Sequence, residues 1–303
     1  MPSAKRALAI MVGLTVASCS ATEVDTPPRA PSVELPYADA PIAPRPEDVR
    51  FFERPKMLAQ MRKGEGPVPE VVLLERDPWG EVLGSESPRF ALYSDGQAIY
   101  QTEDGFRSVR LSQEEASAIK NSLSAVASSK FSGNYRVAEA TDQPDNSLLL
   151  YGSQPVFLSV YGSLDDEQVT SRLPSAVAKA FDTIRSFDSA RSKPWKPAQI
   201  EVMIWPYEYA PEPSIHWNDG WPDLSAPSTI QRGDSYSLFL PSSELEALKH
   251  FLARRNPKGA VEIDGRKWAA SYRIPFPREQ LWMAPNPEVR KGPDEKCTST
   301  CHP

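Results

Sequence analysis

The densest chemistry in the chain lies between positions 205 and 223, which read Trp-Pro-Tyr-Glu-Tyr-Ala-Pro-Glu-Pro-Ser-Ile-His-Trp-Asn-Asp-Gly-Trp-Pro-Asp. Trp205, Trp217 and Trp221 are three of the seven tryptophans. Tyr207, Tyr209 and His216 stand among them, with the carboxylates of Glu208, Glu212, Asp219 and Asp223. Flat aromatic rings beside hydrogen-bond acceptors bind sugars or peptides by stacking and hydrogen bonding. A long irregular segment in a compact chain is often functional. The same rings could instead pack a proline-stiffened loop onto a sheet, where large aromatics commonly go. Hydrolysis of a glycan would need two of the four carboxylates about 5–10 Å apart across a cleft. His216 has no second histidine near it in sequence, so it reads as a hydrogen-bonded loop residue rather than a base or metal ligand.

A second group closes the chain: Cys297-Thr-Ser-Thr-Cys301-His302-Pro303. Two nearby thiols in an oxidising compartment pair as a disulfide. Two thiolates and His302 would alternatively suit Cu(I) or Zn, although no fourth ligand stands out. The spacing is also one residue longer than the haem-attachment pattern Cys-x-x-Cys-His. Ser117-Ala-Ile-Lys120 and Ser132-Gly-Asn134 resemble two motifs of penicillin-binding enzymes in residue type. Helical phase puts Ser117 in mid-helix, however, and no Lys-Thr-Gly follows. The acidic turns around Asp142 and Asp165 lack the alternating oxygen ligands of a calcium loop. No nucleotide-binding, zinc-protease or serine-hydrolase motif is present, and no cofactor is expected.

The N-terminus gives an address. Lys5 and Arg6 precede an apolar run from Ala7 to Ser18, too short to span a bilayer at about 20 residues per crossing. This is the build of a secretory signal peptide. The run ends Val16-Ala17-Ser18-Cys19, which resembles the lipobox of bacterial lipoproteins. The resemblance implies cleavage before Cys19 and lipidation of its thiol, hence an exported chain anchored to a membrane. Ser20, in place of an Asp, resembles the signal for sorting to the outer membrane. The alternative is an ordinary cut at Ala21, with Cys19 lost.

Removing residues 1–18 takes away two bases and no acid, so the net charge goes from −6 to −8. Such a chain is a poor nucleic-acid binder. Prolines 27, 28, 31, 36, 41, 44 and 46 make the next stretch an extended tether. A short helix is expected over Val49–Lys63.

The elements that must position these residues begin near Pro67. Glu70–Glu75, Arg89–Tyr93, Ala98–Gln101 and Phe106–Leu111 read as strands, the middle two joined at Asp95-Gly96. Ser112-Gln-Glu-Glu115 predicts a capping box, followed by a helix with Ala116, Ile119, Leu123 and Val126 on one face. A hairpin over Leu148–Tyr161 and a helix over Pro174–Asp188, with stripe Val177, Phe181 and Ile184, come next. Then come a strand at Gln199–Trp205, an irregular stretch 206–234 and a strand at Tyr236–Leu240. A second capping box at Ser243–Glu246 should open a helix with Leu245, Leu248 and Leu252 inward. A hairpin over 260–274 ends the pattern.

Hairpins interrupted by three amphipathic helices predict an α+β fold with a mainly antiparallel sheet. The expected organisation is a signal peptide at 1–18, a lipidated tether at 19–66, one continuous body at 67–277, with a hinge near 189–197 as the alternative, and a loose tail at 278–303. The functional expectation is a non-enzymatic binding module of the cell envelope, contacting an envelope protein or glycan, with 205–223 as its surface. The alternatives are an envelope hydrolase or metal handling by the terminal cysteines.

Overall fold

A computed structural model describes residues 66–82, 84–151 and 155–279, all within one contact unit. The signal peptide, Cys19, the tether, the Val49–Lys63 helix, the turn at 152–154 and the tail with Cys297, Cys301 and His302 lie outside these residues.

The first part of the body comprises β1 (Pro69–Arg76), β2 (Phe90–Tyr93), β3 (Gln97–Thr102), β4 (Gly105–Arg110), α1 (Gln113–Ser122), β5 (Gly133–Arg136), β6 (Asp145–Leu150), β7 (Val156–Tyr161), α2 (Glu167–Thr170), α3 (Ser175–Arg185) and β8 (Lys193–Pro194). The second comprises β9 (Gln199–Pro206), β10 (Glu212–His216), β11 (Ile230–Arg232), β12 (Ser235–Pro241), α4 (Leu245–Ala253), β13 (Gly259–Ile263) and β14 (Arg266–Arg273). The first sheet runs β5-β7-β6-β1-β2-β3-β4-β8 and the second β10-β13-β14-β9-β12-β11. All neighbours are antiparallel except β5 with β7 and β10 with β13. The class is α+β, as the hairpin pattern predicts.

β1 explains why its sequence does not alternate. Val71 and Leu73 enter the core under α1 and α3, while Val72 and Leu74 enter a second cluster on the opposite face. A central strand covered on both sides reads as a continuous apolar run. β6 does the same with Leu148 and Leu150 on one side and Leu149 on the other. The predicted capping box forms at α1 and the predicted stripe at α3. Ser112 Oγ accepts from Glu115 N at 3.1 Å, and Glu115 accepts from Ser112 N at 2.7 Å. Val177, Phe181 and Ile184 are buried, each such side chain contributing about 1.5–3 kcal/mol. The β2–β3 turn needs its glycine. Gly96 has φ +81°, and a Cβ there would sit 2.5 Å from the Leu111 carbonyl oxygen.

Two expectations are corrected. The stretch 206–234 contains β10 and β11; β10 is a polar edge strand carrying Pro213, a composition that edges tolerate and period-two searches miss. The second capping box does not form: a 3-10 turn over Ser242–Glu244 precedes α4, and no side chain caps it. Glu246 holds Lys249 Nζ at 2.9 Å instead of reaching back. The segment 189–197 is tied to the first sheet. Lys193 and Pro194 pair with Ser108 and Arg107, Arg107 grips Ser192, and Trp195 N donates to Phe106 O at 2.8 Å. The body also extends past 277, since Glu279 is buried and Arg278 binds the carbonyls of Gly66 and Pro67.

Candidate functional site

The period-two alternation that places Val72 and Leu74 on the second face of the first sheet places Arg76 there too, at the strand's end. On β6 and β7 the same face carries Asp145 and Ser159, and Asp145 is the register partner of Arg76. The apolar face thus ends in a polar group. Ser159 Oγ donates to Asp145 at 2.6 Å. Burial pushes the Asp145 carboxyl up, opposed by Ser159 and Arg76. Burial also lowers Arg76 to about 10, although Glu86 and Asp145 pull the other way. Glu86 comes from the loop after β1. Burial raises its pKa, against nearby backbone amides and Arg76, while Asp77 adds to the rise.

This polar group continues into the second sheet. Arg273 Nε donates to the Glu86 carbonyl at 3.4 Å, and Ile274 N donates to Ser87 Oγ at 2.7 Å. The Arg273 guanidinium binds Glu201 at 2.7 Å and also Glu279. Ser237 Oγ donates to Glu201 at 2.6 Å, and Arg232 stands 3.6 Å from the same carboxylate.

A cleft of about 890 Å³ opens beside this cluster, where the first sheet meets α4 and the end of β14. One side carries Glu75, Arg76, Asp77, Glu86 and Asp104; the other carries Lys196, Glu246 and Lys249. Phe106, Trp195, Tyr272 and Ile274 form its apolar part. Several rim charges are spent on each other. Arg185 binds Glu75 at 2.7 Å and Asp165 at 2.9 Å, and Arg89 takes the other Glu75 oxygen at 3.1 Å. Phe106, Trp195 and Phe276 meet edge to face, with centroids 5.3–6.2 Å apart. A cleft with an apolar strip and charged lips can hold an elongated polar ligand.

No protein-family model, curated protein or solved structure matches this chain. Its chemistry therefore has to be read from the residues themselves.

The residues singled out by sequence are split. Trp217 and Trp221 are buried, packing edge to face at 4.9 Å with each other and at 5.5 and 5.3 Å with Phe251 of α4. Their indole N–H groups donate to Pro222 O and to Glu244. His216 is exposed, 3.8 Å from Glu262. These three line a separate depression of about 390 Å³ with Asp219, Asp223 and Asp264. Trp205 and Tyr207 are half-buried, Tyr209 is 96% exposed, and none of the three lines either hollow. Of the four carboxylates, Asp219 and Asp223 share this depression, while Glu208 and Glu212 lie outside it. Glu208 pairs with Arg266, Glu212 accepts from Lys258 N, and Asp223 accepts from Ser225, which holds its pKa below the ordinary range. Ser117 and Lys120 are likewise apart in role, with Lys120 bound to Glu70 at 2.9 Å.

Among the described residues no group of three His, Cys, Asp or Glu side chains could hold a metal, and no helix is long and apolar enough to cross a membrane. Sequence reasoning missed Arg76, Glu86, Asp145 and Arg273. The signals that could have found the first and third were charges at the ends of β1 (Pro69–Arg76) and β6 (Asp145–Leu150), in phase with buried residues.

Proposed function

We propose that this chain is an exported lipoprotein, anchored through Cys19, whose body is a binding module of the cell envelope. The cleft between the first sheet and α4 is its ligand surface, in place of the 205–223 loop. The observation that carries this reading is the cleft's construction: about 890 Å³, an apolar strip of Phe106, Trp195 and Tyr272, and lips of both charge signs. Such a surface complements an elongated polar chain, the kind of partner an envelope protein or glycan presents. The loop supports the body instead, since its two buried tryptophans close the core over α4.

The experiment is capture of partners after mild crosslinking in the protein's own cells. Asp104→Lys with Lys196→Glu reverses two exposed cleft charges without touching the core. Tyr209→Ala with His216→Ala strips the exposed loop groups. Partners lost only from the cleft variant support the reading. Partners lost only from the loop variant, or from neither, overturn it.

A further inference from the structure

Asp77-Pro78 is the only Asp-Pro pair in the sequence. The two residue types make their shared peptide bond reactive. An aspartate carboxylate is a nucleophile within ring-closing reach of its own carbonyl carbon. The proline nitrogen carries no N–H, and once protonated it leaves readily as a secondary amine. The fold adds geometry to this chemistry. Asp77 is exposed and directly follows β1. Its Oδ1 accepts from Trp79 N at 2.9 Å. An aspartate that reaches the amide two residues on folds its carboxylate back over the peptide bond between them. The Asp77 carbonyl oxygen in turn accepts from Gly80 N at 3.3 Å. That donor serves the oxygen on which negative charge develops when the carbonyl carbon is attacked.

The turn is also held in place. A Cβ at Gly80 would stand 3.2 Å from Glu86 Oε1, so glycine lets the turn pack this closely. Farther along, Glu81 binds Arg255, Ser85 N donates to Val82 O at 3.1 Å, and Ser87 Oγ accepts from Ile274 N at 2.7 Å. Water has access, since Trp79 is 75% exposed.

We propose that Asp77–Pro78 is a self-cleavage site, promoted by the folded turn and by mild acid. Asp77 Oδ2 attacks the Asp77 carbonyl carbon and closes a ring of the succinic anhydride type. The bond to Pro78 breaks, its electron pair stays on nitrogen, and that nitrogen takes a proton from solvent. Water then opens the anhydride. It restores the Asp77 side chain and leaves a new C-terminal carboxylate, with the remaining proton going to buffer. The nick does not dismantle the body, because β1 keeps its ladder bonds to β2 and β6. It frees the leading end of the loop whose Ser85, Glu86 and Ser87 line the cleft. None of this depends on what the cleft binds.

The test incubates the purified full chain for days in mildly acid buffer, at about pH 5, with and without urea, and follows it by mass spectrometry. Two pieces should appear, one ending at Asp77 and one beginning at Pro78, with masses that sum to the intact chain plus one water. Their formation should quicken about tenfold for each pH unit lost between roughly 7 and 5, because the leaving nitrogen takes up one proton. It should run about tenfold faster in the folded chain than in urea, where the turn is lost. Added hydroxylamine should trap the anhydride and leave a hydroxamate on Asp77 of the N-terminal piece. Asp77→Ala should stay intact. A chain that remains whole in every arm overturns the proposal, as do equal rates with and without urea. Cleavage without hydroxamate, or cleavage of Asp77→Ala at the same bond, identifies an external protease and overturns it too.

Discussion

Arg273 of β14 and Glu201 of β9 are register partners, and their side chains meet at 2.7 Å with only 4% and 6% of their surface exposed. Such a pair stabilises little relative to an apolar replacement, because desolvation cancels most of the attraction. Its value lies in what it fixes. Through Glu279 and the Glu86 carbonyl, it sets the end of β14 against the loop that lines the cleft.

Arg273→Leu should therefore cost about 3–5 kcal/mol, because it strands Glu201 and Glu279 without their cation. Replacing all three by apolar residues of similar volume should recover most of that loss. Urea midpoints of the single and triple variants check this. Equal destabilisation would mean that packing, not charge, is decisive here.

Trp221→Ala should cost about 3–5 kcal/mol, as for other buried aromatic truncations. The loss comes from its contacts with Trp217 and Phe251 and its bond to Glu244. Ligand capture by the folded variant should be unchanged. A variant of unaltered thermal stability that no longer binds would place the ligand on this loop after all.

The pH dependence of stability should carry the mark of Asp145. Burial raises its folded pKa above the ordinary value of 3.8, so the folded state binds the proton more tightly than the unfolded chain. The resulting stability is full below 3.8 and is lost as pH rises through the raised folded value. Asp145→Asn has no such loss. It should therefore gain stability relative to the unmutated chain between about pH 4 and 7. Urea unfolding at both ends of that window measures the difference; a constant gap would show that Asp145 stays ionised throughout.

Cys19→Ser should move the protein from the membrane fraction to the soluble one, since a second apolar anchor is not visible in the sequence. Continued membrane partition of the serine variant would remove the lipid anchor from the proposal.

The parts of the fold that could be read in advance are those where one local rule acts alone. Asp95-Gly96 turns because Gly96 must adopt positive φ. Ser112 and Glu115 cap because Arg191 takes the other carboxylate oxygen of Glu115 and leaves Oε2 to the Ser112 amide. At Ser243–Glu246 the same pattern fails, since Lys249 claims Glu246 and Trp221 claims Glu244. The first is an i,i+3 pair along the helix and the second a tertiary contact, and neither is visible in four residues. β5 and β10 escaped for a related reason: each is a short edge strand whose parallel partner lies far away in sequence. The cleft was the least legible feature. Its charges come from separate segments around positions 76, 86, 104, 196 and 249, and no spacing links them. The tryptophan-rich loop drew notice because its residues are adjacent, and adjacency here serves packing.

β1 begins just after Gly66, whose carbonyl accepts from Arg278 at 2.7 Å. With an anchor at Cys19 and a partner in the cleft, tension would reach the body at this point and run along β1. The ladder bonds to β2 and β6 lie across that direction. They would be sheared together instead of peeled one by one, while the Arg278 clamp takes part of the pull. A body held this way would resist being tugged from its N-terminal end.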